Sequence, residues 1–186
     1  MSDIRIDFSK TVGKMKPVHG VNSGPRTKVF TYDATELFRE AGLPFSRLHD
    51  VEYPYGSGEF VDIHCVFPNF DADETDPASY NFALTDCYIE AILAAGTKVI
   101  YRLGESIEHA PVKRHVHPPK DFAKWARVCE HIIRHYTDKF GADAFPYWEI
   151  WNEPDNGASC WGGTAEDFFD FFETAAKHLK TCFPSY

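Results

Sequence analysis

The chain of 186 residues contains no apolar run long enough to cross a bilayer, and no charged-then-apolar leader follows Met1. Basic charge is in short supply. With 19 Lys+Arg against 28 Asp+Glu the net charge is −9 and the pI about 5.4, which argues against a nucleic-acid or anionic-membrane surface. Cysteine is also sparse. Five is an odd number, and the five show neither paired metal spacing nor the pattern of a small disulfide scaffold. Together these absences predict a reducing, cytoplasmic setting, no metal or other cofactor, and no nucleic-acid or membrane partner. No interior linker is evident, and the length suits one domain with a real core.

Aromatic residues are plentiful, at 16% of the chain. That favours a carbohydrate site, because the C–H faces of sugars stack on rings. The richest stretch is Trp148-Glu149-Ile150-Trp151-Asn152-Glu153-Pro154-Asp155. Aromatic and branched residues from Phe145 to Trp151 read as a buried strand, and Pro154 ends it. Glu153 is then a carboxylate at the lip of a buried strand. Burial there raises a carboxyl pKa and suits a general acid. Asn152 can donate to and accept from a sugar hydroxyl or a neighbouring carboxylate, and Trp151 belongs among buried or ligand-stacking groups. The competing reading is a strand-end turn carrying a solvated Glu.

Taken in order, the chain alternates strand and helix. Ile4, Ile6 and Phe8 alternate with polar residues as a short half-buried strand would, an arm over residues 1–15. Residues 18–22 read as a first strand and residues 33–41 as a helix that Asp33 caps and Gly42 stops. In the second strand, Phe45, Arg47 and His49 share a face, and an inward Arg47 requires an anionic partner. Residues 50–80 form a long loop whose Tyr53, Tyr55, Phe60, Phe67 and Phe70 either wall a cleft or build a small core of their own. A helix over residues 84–95 leads to a third strand over residues 98–103. Glu105 follows it, placed to bind sugar hydroxyls or to pair with Arg47 or Arg102.

His64-Cys65 lacks further metal ligands at usable spacing. The segment 109–119 carries His109, His115 and His117 but no carboxylate, and reads as a loop over the cleft. Residues 122–136 form an amphipathic helix with His131 and His135 on its polar face. After the fourth strand, Trp161 is a candidate stacking platform. Thr164 and Asp167 start a last helix with Phe168, Phe172, Ala175 and Leu179 turned to the core.

Asn152-Glu153-Pro154 after an aromatic strand resembles strand four of the retaining glycoside hydrolases of clan A. The eight-residue form most resembles glycoside hydrolase family 39, which contains β-xylosidases and α-L-iduronidases. The resemblance implies an α/β fold of TIM (β/α)8-barrel type, Glu153 as acid/base, and an Arg47-x-His49 pair touching the site. It also implies a nucleophile on strand seven. A full barrel takes about 250 residues, so residues 16–186 are expected to hold about the first four β/α units. Self-association or a C-terminal half would then close the barrel around a carbohydrate substrate. Two other functions fit the residues: a non-catalytic carbohydrate-binding or assembly subunit, and a metal-dependent α/β hydrolase in which Glu153 and histidines bind a cation.

Overall fold

The structure is a computed structural model that describes residues 4–26, 33–51 and 59–186. Four strands, β1 (Val21–Asn22), β2 (Phe45–Arg47), β3 (Lys98–Arg102) and β4 (Tyr147–Glu149), pair side by side in chain order. Every pairing is parallel. Among the described residues the connections hold five α-helices: α1 (Thr35–Ala41), α2 (Ile63–Val66), α3 (Ala83–Ala94), α4 (Phe122–Phe140) and α5 (Ala165–Cys182).

The strand alternation sorts the side chains. Register aligns Ser46 with Val99 and Tyr101 with Trp148. This face packs on the helices, with Ser46, Val99 and Tyr101 fully buried. Tyr101 lies 5.2 Å from the ring of Tyr136 on α4 and donates its hydroxyl to the carbonyl of Val61 at 3.0 Å. The opposite face carries Phe45, Arg47, Ile100, Arg102, Tyr147 and Glu149. This face sets the ion-paired Arg47, Arg102 and Glu149 among Phe45, Ile100 and Tyr147.

Local chemistry sets the helix ends. Asp121 accepts from the amide of Lys124 at 2.9 Å and starts α4. Thr164 and Asp167 form a reciprocal capping box at α5. Gly42 takes φ 60° after α1, a conformation that costs glycine little. Asp33 accepts from the amide of Thr35 at 2.9 Å, but Ala34 is the N-cap, so α1 begins one residue later than expected.

Phe171 of α5 centres the aromatic core. Its ring meets Trp125 at 4.7 Å, Trp151 at 5.3 Å and Trp161 at 5.4 Å. Aromatic pairs of this kind contribute about 0.5–1.5 kcal/mol each beyond area burial. The α5 face thus differs from expectation: Phe171 is buried and Phe172 exposed, because the helix turns its stripe toward the tryptophans.

Two further expectations need correction, and one open alternative is decided. Residues 4–8 form no strand, and Ile4, Ile6 and Phe8 are exposed. A strand pattern buries nothing without a partner, and none lies alongside among the described residues. Within the 50–80 segment, Phe60, Val61, Ile63, Val66 and Phe67 join the core around α2, so its apolar residues pack inward and do not wall a cleft. Tyr53 and Tyr55 lie outside the described residues. His135 is not simply solvated: it stacks on Phe82 at 3.6 Å and bonds Asp86 at 2.8 Å. No helix among the described residues is long and apolar enough to cross a membrane.

Candidate active site

Parallel pairing brings the C-terminal ends of the strands to one rim. Backbone strain gathers there. Ser23 after β1, Asp50 after β2 and Glu153 after β4 have φ of 61°, 45° and 40°. For non-glycine residues that conformation costs on the order of 1–2 kcal/mol each, and such strain clusters at functional sites.

Arg47 occupies the end of β2 and finds the anion its position demands. Its Nε donates to Glu149 Oε2 at 2.6 Å, and a terminal nitrogen donates to Glu149 Oε1 at 2.5 Å. That nitrogen also donates to Asn152 Oδ1 at 2.8 Å. The hydrogen bonds to Glu149 raise the guanidinium pKa further, against burial, and the nearby Glu153 carboxylate adds to the effect. Asn152 is fully buried, its amide nitrogen lying 4.0 Å from Cys160 Sγ. His49 stands at the same rim, its Nδ1 3.5 Å from Asp50 Oδ1. Burial lowers its pKa and favours the neutral ring, with Asp50 opposing. Arg47, His49, Asn152 and Glu153 therefore stand at one end of the sheet.

Glu153 itself departs from expectation. Its side chain is exposed, and Asn156 Nδ2 donates to its Oε2 at 3.3 Å. The positive φ at Glu153 breaks the strand alternation and turns the carboxylate out. The aromatic groups expected to enclose it point elsewhere: Trp148 packs on Phe145 and Tyr101. Trp151 and Trp161 are core residues and not sugar platforms, both buried and edge-on to each other at 5.2 Å. Their indole N–H groups donate to Cys160 O at 2.7 Å and Thr164 O at 2.9 Å. Gly104 makes that packing feasible, since a Cβ there would lie 2.7 Å from the Trp151 ring.

A second charged cluster lies beside the first. Arg102 is wholly buried and donates to Asp62 Oδ1 at 2.6 Å, Ser106 Oγ at 2.7 Å and the Glu105 carbonyl at 2.8 Å. Burial raises the Asp62 carboxyl pKa, and the Arg102 charge opposes it. The Glu105 carboxylate pairs with neither Arg47 nor Arg102. It hydrogen-bonds the His64 ring, on which His115 stacks at 3.8 Å. Burial works against charge on His64, but hydrogen bonds with Cys65 and Glu105 prevail and its pKa is pushed up to about 11. Asp62, His64 and Glu105 gather closely enough to suggest a cation, but Arg102 already pairs with Asp62 and the His64 ring with Glu105.

The sequence reading passed over Glu149 and Glu108. Glu149 shares parity with Tyr147, which aligns with Ile100 and so with Arg47. Alternation alone therefore put both on one face. Glu108 immediately precedes the histidine-rich segment, and its carboxylate accepts the amides of Arg114 and His115 at 2.8 and 3.0 Å, folding that loop back on itself.

Residues 3–186 match the model for glycosyl hydrolases family 39. The chain belongs to that family. Among its relatives, a β-xylosidase from Caldicellulosiruptor saccharolyticus is 30% identical over 95 residues, covering 50% of this chain and 18% of the relative. A β-xylosidase from Geobacillus stearothermophilus is 24% identical over 143 residues, covering 71% of this chain and 28% of the relative. The crystal structure of a glucosidase from Croceicoccus marinus superposes with TM-score 0.72 at 27% identity, covering 94% of this chain and 36% of that one. This chain thus spans well under half the length of each. Its four β/α units are the N-terminal part of a TIM (β/α)8-type barrel.

The His64–Glu105 pair gives a pH-dependent stability. A histidine whose folded pKa exceeds its unfolded value of about 6.5 stabilises the fold fully below that value, and the contribution is lost as pH climbs through the folded pKa. Urea unfolding should show the chain losing stability between about pH 7 and 11, with His64→Gln markedly flatter over that window. Equal slopes would show that His64 carries no charge in the fold.

Proposed function

We propose that this chain supplies the acid/base side of a retaining glycosidase site, with Glu153 in that role. The observation that carries the reading is a Glu at the C-terminal rim of β4, next to an Asn held by a strand-two Arg, in a family 39 chain. In the first step Glu153 gives its proton to the glycosidic oxygen as the anomeric carbon is attacked by a second carboxyl, about 5–5.5 Å away. In the second step the Glu153 carboxylate takes the proton of the water that releases the sugar. Bound sugar would cover the exposed Glu153 carboxyl and provide the dry surroundings that raise its proton affinity. The names of the relatives favour a β-xyloside or a glucoside as substrate.

The nucleophile belongs, on this reading, to a later strand outside these 186 residues. β4 has a free edge among the described residues. Beside it lies an apolar groove of about 250 Å3 lined by residues including Trp148, Ile150, Leu179 and Phe183. Further β/α units, from a C-terminal half or a second copy, would pair with that edge and fill the groove. Sedimentation of the 186-residue chain alone should show self-association or aggregation and no glycoside cleavage. A cooperatively melting, active monomer would overturn this assembly.

Glu153→Gln in the assembled enzyme provides the chemical test. Aryl glycosides with poor leaving groups should lose about 100-fold or more in rate. Activated leaving groups, which need little protonation, should lose less in the first step. Azide should restore turnover by replacing the base-activated water. Uniform loss without azide rescue would remove Glu153 from the acid/base role. Sugar binding without turnover in the unaltered assembly would favour a carbohydrate-binding subunit instead.

A further inference from the structure

Away from the rim, three side chains of the helical layer converge. His178 and Cys182 stand four residues apart on α5 and so share a face. Glu130 reaches them from α4. Its Oε2 lies 2.8 Å from His178 Nε2, and Cys182 Sγ lies 3.7 Å from the same nitrogen. All three donor atoms fall within 4.8 Å of one another, and each residue is only partly buried.

That geometry decides between two chemistries. A Cys–His–carboxylate relay uses the two ring nitrogens separately, one toward the nucleophile and one toward the orienting acid. Here thiol and carboxylate both approach Nε2, so no relay exists. Three potential ligand atoms within 4.8 Å of one another are instead what a metal ion requires. We propose that Glu130, His178 and Cys182 form a three-ligand zinc site between α4 and α5, with water in the fourth position.

The donor set of one sulfur, one imidazole nitrogen and one carboxylate oxygen is typical of Zn2+. Bonds of about 2.0–2.3 Å in a tetrahedron place donors roughly 3.3–3.7 Å apart. The Cys182–His178 separation already meets that range. The Glu130–His178 contact has to open by roughly half an ångström as the ion replaces the hydrogen bond between them. Arg134 supports the arrangement, its Nε donating to Glu130 Oε1 at 2.9 Å and leaving Oε2 for the ion. The Arg134 guanidinium in turn packs over the Phe183 ring at 5.1 Å. On binding, the thiol proton of Cys182 passes to solvent and the thiolate, the neutral imidazole and the carboxylate coordinate the ion. This departs from the metal-free chain that the cysteine spacing suggested. The sequence offers only His178-x3-Cys182, and the third ligand lies 48 residues away.

The test is titration of the full chain with Zn2+ by calorimetry and with Co2+ by absorption. The site should take up one equivalent with a thiolate-to-cobalt charge-transfer band. Cys182→Ser and His178→Gln should each abolish the band or weaken binding by about 100-fold, and Arg134→Gln by about 10–100-fold. His64→Gln, in the other cluster, should leave both unchanged. On the unaltered chain, Zn2+ should protect Cys182 from alkylation, read by mass spectrometry. No thiolate band, affinity indifferent to Cys182→Ser and His178→Gln, or Cys182 alkylation unaffected by Zn2+ would each overturn the site.

Discussion

Two arginines on one face of neighbouring strands, Arg47 and Arg102, impose the layout of the rim. A guanidinium taken out of water must be matched by anions and acceptors. Arg102 is completely buried and recruits Asp62, Ser106 and the Glu105 carbonyl. It thereby ties the segment before α2 to the loop after β3. Arg47 recruits Glu149 and Asn152 and ties β2 to the end of β4. Stripping Asp62 from the fully buried Arg102 would cost about 3–5 kcal/mol. The loops that carry Asn152 and Glu153 are therefore held by charge across a short sheet, where hydrogen-bonded strands alone span only two to five residues.

This division of labour corrects the meaning of the aromatic content. Abundant rings suggested a stacking cleft, but the tryptophans and most of the phenylalanines build the core against α4 and α5. Trp151 and Trp161 sit beneath the rim as its foundation. The rim instead presents Arg47, His49 and Glu153, so this side is polar and not lined by rings.

Much of the fold was legible in local patterns. Period-two alternation gave the face shared by Phe45 and Arg47, and the Thr164–Asp167 spacing gave the start of α5. The Trp-Glu-Ile-Trp-Asn-Glu-Pro run identified the family and pointed to the rim residue proposed as its acid/base. What escaped depended on contacts between distant segments. Whether Phe171 or Phe172 faces inward depends on where Trp125 and Trp161 stand. The choice of His64 as partner for Glu105 depends on the path of residues 59–66. The exposure of Glu153 follows from a single positive φ, which composition does not announce in a non-glycine residue.

The most direct measurement is a double-mutant cycle on Arg47 and Glu149, read as unfolding free energy and as kcat/KM on an aryl glycoside in the assembled enzyme. If the pair holds Asn152 beside Glu153, Arg47→Met and Glu149→Gln will each lose far more in kcat/KM than in folded fraction. The double variant will then be little worse than either single change, as for residues acting through one contact. Losses that merely track the folded fraction, or that add fully in the double variant, would contradict it.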